Sequence, residues 1–264
     1  MKTVILCGGR GIRLNEETEF KPKPLVEIGG MPILWHIMKH YSHYGHNEFI
    51  LPLGYKGEAI KEYFLKLKEN SQDFVLNLAN NEKEFLDEQK SLEGKIYFIN
   101  TGLNSMTGSR VSQIKKYIEE EDFFLTYGDG VSDIDLHALY KQHKELGTIL
   151  TLTGVTHPSK FGIIESNKGM VTTFKEKPIV DCDNINGGFM VCNKKIFDYL
   201  SNNENCILEE EPIRKLVNEK KLGVYSHKDF WHCMDTQRDV NELNKLCHEG
   251  APWKIWGKKI EKEP

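Results

Sequence analysis

Apolar positions along the chain recur with two alternating periods. A β-branched run at residues 3–7, TVILC, stops at a glycine cluster, and a short apolar run bounded by turn residues predicts a buried strand. Residues 32–44, PILWHIMKHYSHY, instead space their apolar side chains as a helix does, with Pro32 suited to the first turn and Gly45 just past the end. FILPLG at 49–54 predicts a second strand, and residues 57–68 a helix with Ile60, Phe64 and Leu67 along one face. Further strands are predicted at 96–99, 123–127 and 149–155, with helices at 109–120 and 134–146. Ser132 or Asp133 could cap the last of these.

This rhythm predicts an α/β fold of Rossmann-like type, a mixed and largely parallel sheet flanked by helices. From about 150 to 193 the pattern changes to short strands separated by turns: GTILTLTGV, FGIIES, GMVTTFKEKP and INGGFMVCN. These predict a small antiparallel annex on the same sheet. The polar stretch 80–93, NNEKEFLDEQKSLE, reads as a surface insertion or lid, and GKKIEKEP at 257–264 as a charged C-terminal tail. No internal repeat interrupts the pattern, so residues 1–256 are expected to form a single domain.

Composition narrows the function. A formal charge of -4 over 264 residues argues against a general nucleic-acid partner, because phosphate-backbone binding needs a basic surface. No apolar run approaches the length of a membrane span, and the first one is too short for a signal-peptide core. The six cysteines are scattered without a C-x-x-C pair. Reduced thiols and a cytoplasmic location are the expectation.

The chemistry concentrates after the first strand. In GGRGIRL the glycines Gly8, Gly9 and Gly11 offer unobstructed N–H groups, and Arg13 adds a planar fork suited to phosphate. Leu14 stands where the dinucleotide fingerprint needs its last glycine, and no glycine-lysine-serine/threonine triplet completes a P-loop. The plainer alternative is a turn that needs positive φ. Ten residues on, Pro22 and Pro24 push Lys21 and Lys23 toward extended geometry, which aims the lysines instead of leaving them on a flexible arm.

Other candidates are each balanced by a plainer alternative. Asp129, between Gly128 and Gly130, could bind metal at a sheet edge or simply make a turn. Asp235 could bind metal or cap a helix, with Thr236 to Asp239 offering a capping-box alternative. Glu176 and Lys177 precede a proline in FKEKP, and Asn186 with two glycines in INGGF suits a hydroxylated ring or a hairpin turn. His36 and His40 have zinc-compatible spacing but no third ligand. Trp253 and Trp256 read as packing or contact residues.

GGRGIRL followed by KPKPLVEIGGMPIL resembles the signature of the sugar-nucleotidyltransferases. MTGSR (106–110), YGDGVSDID (127–135), INGGF (185–189), FWHCMDTQRD (230–239) and APWKIW (251–256) extend the likeness over residues 1–256 and are most similar to the cytidylyl branch, which makes CDP-glucose. That resemblance implies a GT-A-like fold and Mg²⁺-dependent transfer of a cytidylyl group from CTP to glucose 1-phosphate, for cell-surface polysaccharide synthesis. It implies that Leu6, Cys7, Gly8, Gly9, Arg10, Gly11, Ile12, Arg13, Lys23, Ser105 and Arg110 bind nucleotide. Arg13 and Lys23 would be catalytic, and Asp129 and Asp235 would hold the metal. Glu176, Lys177, Asn186 and Gly187 would bind sugar phosphate. Residues about 80–110 would then include the nucleotide-binding loop, and about 150–193 the sugar-phosphate annex. The resemblance also implies a homo-oligomer, a hexamer.

One departure stands out. The family usually has threonine where this chain has Ile12. The lost hydroxyl removes one neutral hydrogen bond, worth ~0.5–1.5 kcal/mol, which bears on substrate choice more than on reaction type. The rivals are the same chemistry with UTP, dTTP or another sugar phosphate, and a non-catalytic nucleotide-sugar binder. An NAD-dependent oxidoreductase lacks the full fingerprint.

Overall fold

The computed structural model describes residues 1–14, 18–86, 93–158, 163–167, 170–175 and 179–256. Its frame is a seven-stranded sheet. In chain order, β1 (Thr3–Leu6) is followed by the two-residue strands β2 (Glu27–Ile28) and β3 (Met31–Pro32), then helix α1 (Ile33–His43) and β4 (Glu48–Leu53). Helices α2 (Gly57–Leu65) and α3 (Leu67–Ser71) lead to a hairpin of β5 (Phe74–Leu76) and β6 (Lys83–Phe85), then to β7 (Lys95–Asn100) and α4 (Thr107–Gln113). Next come β8 (Asp122–Tyr127), β9 (Gly130–Ser132), α5 (Leu136–Leu146) and β10 (Leu150–Pro158). The rest comprises β11 (Ile163–Asn167), β12 (Met170–Lys175), β13 (Ile179–Asn193), α6 (Glu211–Asn218), β14 (Leu222–His227), β15 (Trp231–Cys233) and α7 (Gln237–His248).

The sheet order is β14-β10-β13-β8-β1-β4-β7, and β13 alone runs against its neighbours. This is the predicted mixed, largely parallel sheet. Its central strands β1, β4 and β8 are buried along almost their whole length, as in a sheet covered on both faces. Along β8, Phe123 and Leu125 enter one core and Phe124 the other; along β1, Val4 and Ile5 divide the same way. Period-two alternation therefore sorts side chains between two cores, not between core and water.

The annex is divided. β10 and β13 pair antiparallel within the main sheet, whereas β11 and β12 form a separate hairpin. Within the stretch read as a surface insertion, residues 83–85 form the second strand of the β5–β6 hairpin. The tail at 257–264 lies outside the described residues.

Helix boundaries depart from the sequence reading where caps decide them. The helix expected at 57–68 divides at Lys66, the residue between α2 and α3. The one expected at 109–120 ends at Gln113 and continues as a short 3-10 turn, Lys115–Tyr117. Asp135, not Ser132 or Asp133, caps α5, its side chain accepting from the N–H groups of His137 and Ala138. Gly45 does lie just past α1, at φ +80°, a backbone conformation glycine adopts without strain. No described helix is long and apolar enough to cross a membrane.

Candidate active site

Strand register builds the site. Leu6 pairs with Tyr127 in the parallel β1–β8 ladder, so the glycine loop and Gly128–Asp129 leave the sheet side by side at its carboxyl edge. Here the strand order turns back on itself, the place where open α/β sheets bind ligands. Gly128 is required by crowding: a Cβ would lie 2.8 Å from the Leu6 carbonyl oxygen.

A second pairing brings in the distant carboxylate. β9 and β15 pair antiparallel with Gly130 opposite Cys233, and the Met234 N–H donates to the Asp129 carbonyl at 2.8 Å. Asp129 and Asp235 are thereby brought to one place. Thr236, not Asp235, caps α7, in a reciprocal capping box with Asp239. That cap releases the Asp235 side chain toward the site.

Lys23 occupies the centre. Its Nζ donates to Asp129 Oδ2 at 2.6 Å and to Asp235 Oδ1 at 2.7 Å. It is held by a 3-10 turn, Lys23–Leu25, between Pro22 at φ -66° and the buried Pro24. Burial opposes its charge, but the two carboxylates, Asp129 foremost, outweigh burial and raise its pKa above the ordinary lysine value. Arg13 NH1 donates to Asp235 Oδ2 at 2.8 Å from an otherwise exposed side chain. Lys21, by contrast, pairs with Glu27 away from this centre, at 3.2 Å.

Two clefts meet at Asp129. The first, about 450 Å³, is lined by the glycine loop, Lys23 and residues 105–107. Every sequence-predicted nucleotide residue borders it apart from Ile12, whose side chain lies outside the described residues. The second, about 260 Å³, includes Asn186, Gly187, Trp231 and Asp235. Arg13, Tyr127 and Asp129 border both. Glu176 and Lys177 lie outside the described residues.

Sequence reasoning missed the wall between the clefts. The Tyr127 hydroxyl donates to Glu209 Oε1 and accepts from Asn186 Nδ2 at 3.4 Å. Burial, followed by the Glu209 charge, raises its pKa, so it remains a neutral phenol. Trp231 Nε1 donates to the Gly187 carbonyl at 2.7 Å, fixing the INGGF turn. Position at the end of an apolar strand before GDG was the available signal for Tyr127. For Glu209 the sequence held none. Cys7 is buried beside the loop, its thiol pKa pushed up first by burial and then by Asp129, so it packs and does not react.

The two aspartates supply hard oxygen donors around one cationic point, a suitable set for a divalent ion that keeps several positions for water and phosphate. Lys23 is the stand-in cation at that point. No cluster of three or more His, Cys, Asp or Glu ligands occurs among the described residues. Substrate oxygens would have to complete the shell.

The nucleotidyl transferase family profile matches residues 2–248. The chain is 46% identical to a Bacillus subtilis protein named "Probable glucose-1-phosphate cytidylyltransferase", over 97% of this chain and 100% of that one. Identity to a glucose-1-phosphate cytidylyltransferase of Salmonella typhimurium is 44%, over 97% and 100% respectively. The crystal structure of HddC from Yersinia pseudotuberculosis shares the fold, with a TM-score of 0.65 at 23% identity over 93% of this chain and 99% of that one.

Proposed function

We propose a reaction for this chain from one premise: it belongs to the nucleotidyl transferase family. It is a nucleotidyltransferase. The reading its site supports best is transfer of a cytidylyl group from CTP to α-D-glucose 1-phosphate, giving CDP-glucose and pyrophosphate. The observation that carries it is the meeting of Asp129, Asp235 and Lys23 where two clefts join. The choice of CTP and glucose 1-phosphate rests on the names of relatives similar over nearly the whole chain.

The reaction brings together two anions, each phosphate carrying a charge of about -1.5 to -2. Catalysis of such a step is mainly positioning and neutralisation of charge. The N–H groups of the Gly8–Gly11 loop face the triphosphate in the first cleft, with Arg13 and Lys23 as its cationic partners. A sugar-phosphate oxygen then attacks the α-phosphorus, and pyrophosphate leaves. No general base is needed, because the attacking group is already an anion.

Asp129 and Asp235 would hold Mg²⁺, which when bound supplies charge neutralisation and orientation of the phosphate oxygens. Lys23 would then release the carboxylates and turn to the phosphates. Asn186 and Gly187 face the sugar in the second cleft, and Glu176 and Lys177 would complete its phosphate contacts. Cytoplasmic substrates suit a chain with scattered thiols, and a homo-oligomer is the assembly we expect.

The test is pyrophosphate release from Mg²⁺, glucose 1-phosphate and each of CTP, UTP, dTTP, ATP and GTP. Release confined to CTP is expected. Release with another triphosphate would move the specificity and keep the chemistry. Silence with all five, and with other sugar phosphates, would overturn the assignment.

A further inference from the structure

Glu209 is an exposed residue that lines neither cleft, yet both of its carboxylate oxygens are engaged. Oε1 accepts from the Tyr127 hydroxyl, and Oε2 accepts from the Thr107 hydroxyl at 2.5 Å. A solvated glutamate keeps its rotamer freedom, whereas two hydroxyl donors on separate elements fix this one, each bond strengthened by the carboxylate charge. Thr107 opens α4 and borders the first cleft; Tyr127 ends β8 and borders both. One side chain outside the clefts thus joins the frame of the first to the wall between them.

The Thr107 end is anchored. Residues 204–208 lie along the start of α4, where the Met106 N–H donates to the Glu204 carbonyl at 2.8 Å and the Ser109 N–H to the Cys206 carbonyl at 3.0 Å. The Leu208 N–H donates to Thr107 Oγ1 at 3.0 Å, so the threonine proton is left for Glu209. Gly108 permits this approach, because a Cβ there would lie 2.7 Å from Cys206 Sγ. From inside, the buried Arg110 guanidinium donates to the carbonyls of Gly8, Leu53 and Gly102, which ties α4 to the glycine loop.

The Tyr127 end depends on the carboxylate. A neutral phenol has one proton, and it goes to Glu209. The other bond to this hydroxyl, from Asn186 Nδ2, is long at 3.4 Å. The ring lies against the INGGF turn, where a Cβ on Gly188 would come within 2.5 Å of Tyr127 Cδ2. Movement of this ring changes both clefts at once.

We propose that Glu209 is a positioning residue for the transfer reaction: by holding the Tyr127 hydroxyl to the start of α4 it sets the separation of the two bound substrates. This rests on the reading above, in which the α-phosphorus lies in the first cleft and the attacking oxygen comes from the second. Each substrate keeps its own cleft contacts, so the ring governs their mutual placement and acts on turnover more than on binding.

Steady-state pyrophosphate release from the full chain tests the role. Glu209→Gln keeps size and removes the charge-assisted acceptor. Its kcat should fall by roughly ten- to hundredfold, with KM for each substrate within about threefold of wild type. A rise in KM at unchanged kcat would overturn the proposal. Tyr127→Phe should lower kcat similarly, and the double variant should be no slower than Tyr127→Phe alone. Multiplying losses would show that Glu209 acts without Tyr127, and would also overturn it. A readout independent of turnover is the Tyr127 Cζ resonance in tyrosine-labelled protein, assigned by its loss in Tyr127→Phe. Glu209→Gln should shift it with the other tyrosine resonances in place; an unmoved resonance would refute the bond. Silence of the wild type with every triphosphate and sugar phosphate would end the transfer reading and with it the kinetic role. A working wild type with unmoved variants would end the role of Glu209 alone.

Discussion

Among the described residues the Lys23 ammonium donates to Asp129 and Asp235 alone, and that makes its behaviour measurable. Its ammonium bridges Asp129 and Asp235 at 2.6 and 2.7 Å, where a divalent cation would draw on the same oxygens. Lysine and metal compete for one pair of carboxylates. Lys23→Met should therefore bind Mn²⁺ more tightly than the wild type when no nucleotide is present. Hydrogen bonds to charged groups contribute ~1.5–3 kcal/mol each, so the gain should be at least roughly tenfold. Turnover in the same variant should fall by about two to three orders of magnitude, the usual cost of losing one donor to a charged transition state. Electron paramagnetic resonance of free Mn²⁺ reads the binding. Equal or weaker Mn²⁺ affinity would show that the lysine does not compete. The sequence could name Lys23 and Asp129, because proline-flanked lysine and glycine-flanked aspartate are local signals, and Asp235 only through the family resemblance. It could not show that Arg110 is turned inward, because that depends on carbonyls from three distant segments.

At the scale of elements, α1 is tied to the C-terminal segment through His36. Nε2 donates to the Ile28 carbonyl at 2.8 Å and Nδ1 accepts from Trp253 Nε1 at 3.3 Å, a pattern only neutral imidazole can satisfy. Burial pushes its pKa down to about 4. Above pH 6.5 neither folded nor unfolded chain protonates this ring, and it adds no pH dependence. As pH falls from 6.5 toward 4 the unfolded chain takes up a proton that the folded chain refuses, so stability is lost across that window, by about 3 kcal/mol. Urea midpoints followed by tryptophan fluorescence should drop between pH 7 and 4.5. His36→Gln keeps one donor and one acceptor without a titrating proton, and its midpoints should drop less. Equal slopes would remove His36 from the account. The helical spacing of α1 was legible from its apolar positions, and so were the strands of β1, β4 and β8. The break between α2 and α3 and the β9–β15 pairing were not. A three-residue strand carries no period of its own, and β9 finds its partner only because the chain returns there some hundred residues later.

Across the whole molecule the sheet's carboxyl edge separates two tasks. The first cleft is lined by the end of β1 with the glycine loop, Lys23 and the start of α4, and the second by β13 and β15, with the end of β8 and Asp129 between them. The fold class and the order of motifs could be read from alternating strand and helix signals, since local hydrophobic periodicity survives in any parallel sheet with covered faces. The clefts' shared wall could not. Tyr127 meets Asn186 only through the antiparallel insertion of β13 beside β8, a pairing no local pattern announces. This division predicts that damage on one side stays there. Asn186 Oδ1 accepts from the Gly188 N–H at 2.9 Å, so the side chain both shapes the turn and faces the second cleft. Asn186→Ala should raise KM for the sugar phosphate by roughly tenfold, the loss expected from one or two hydrogen bonds. Dissociation of CTP, measured without sugar phosphate, should stay within about twofold, because Asn186 borders the second cleft alone and meets the shared wall only through the long 3.4 Å bond to Tyr127. Equal weakening of both substrates would mean that the Tyr127 wall transmits the change, and that the clefts act as one binding unit.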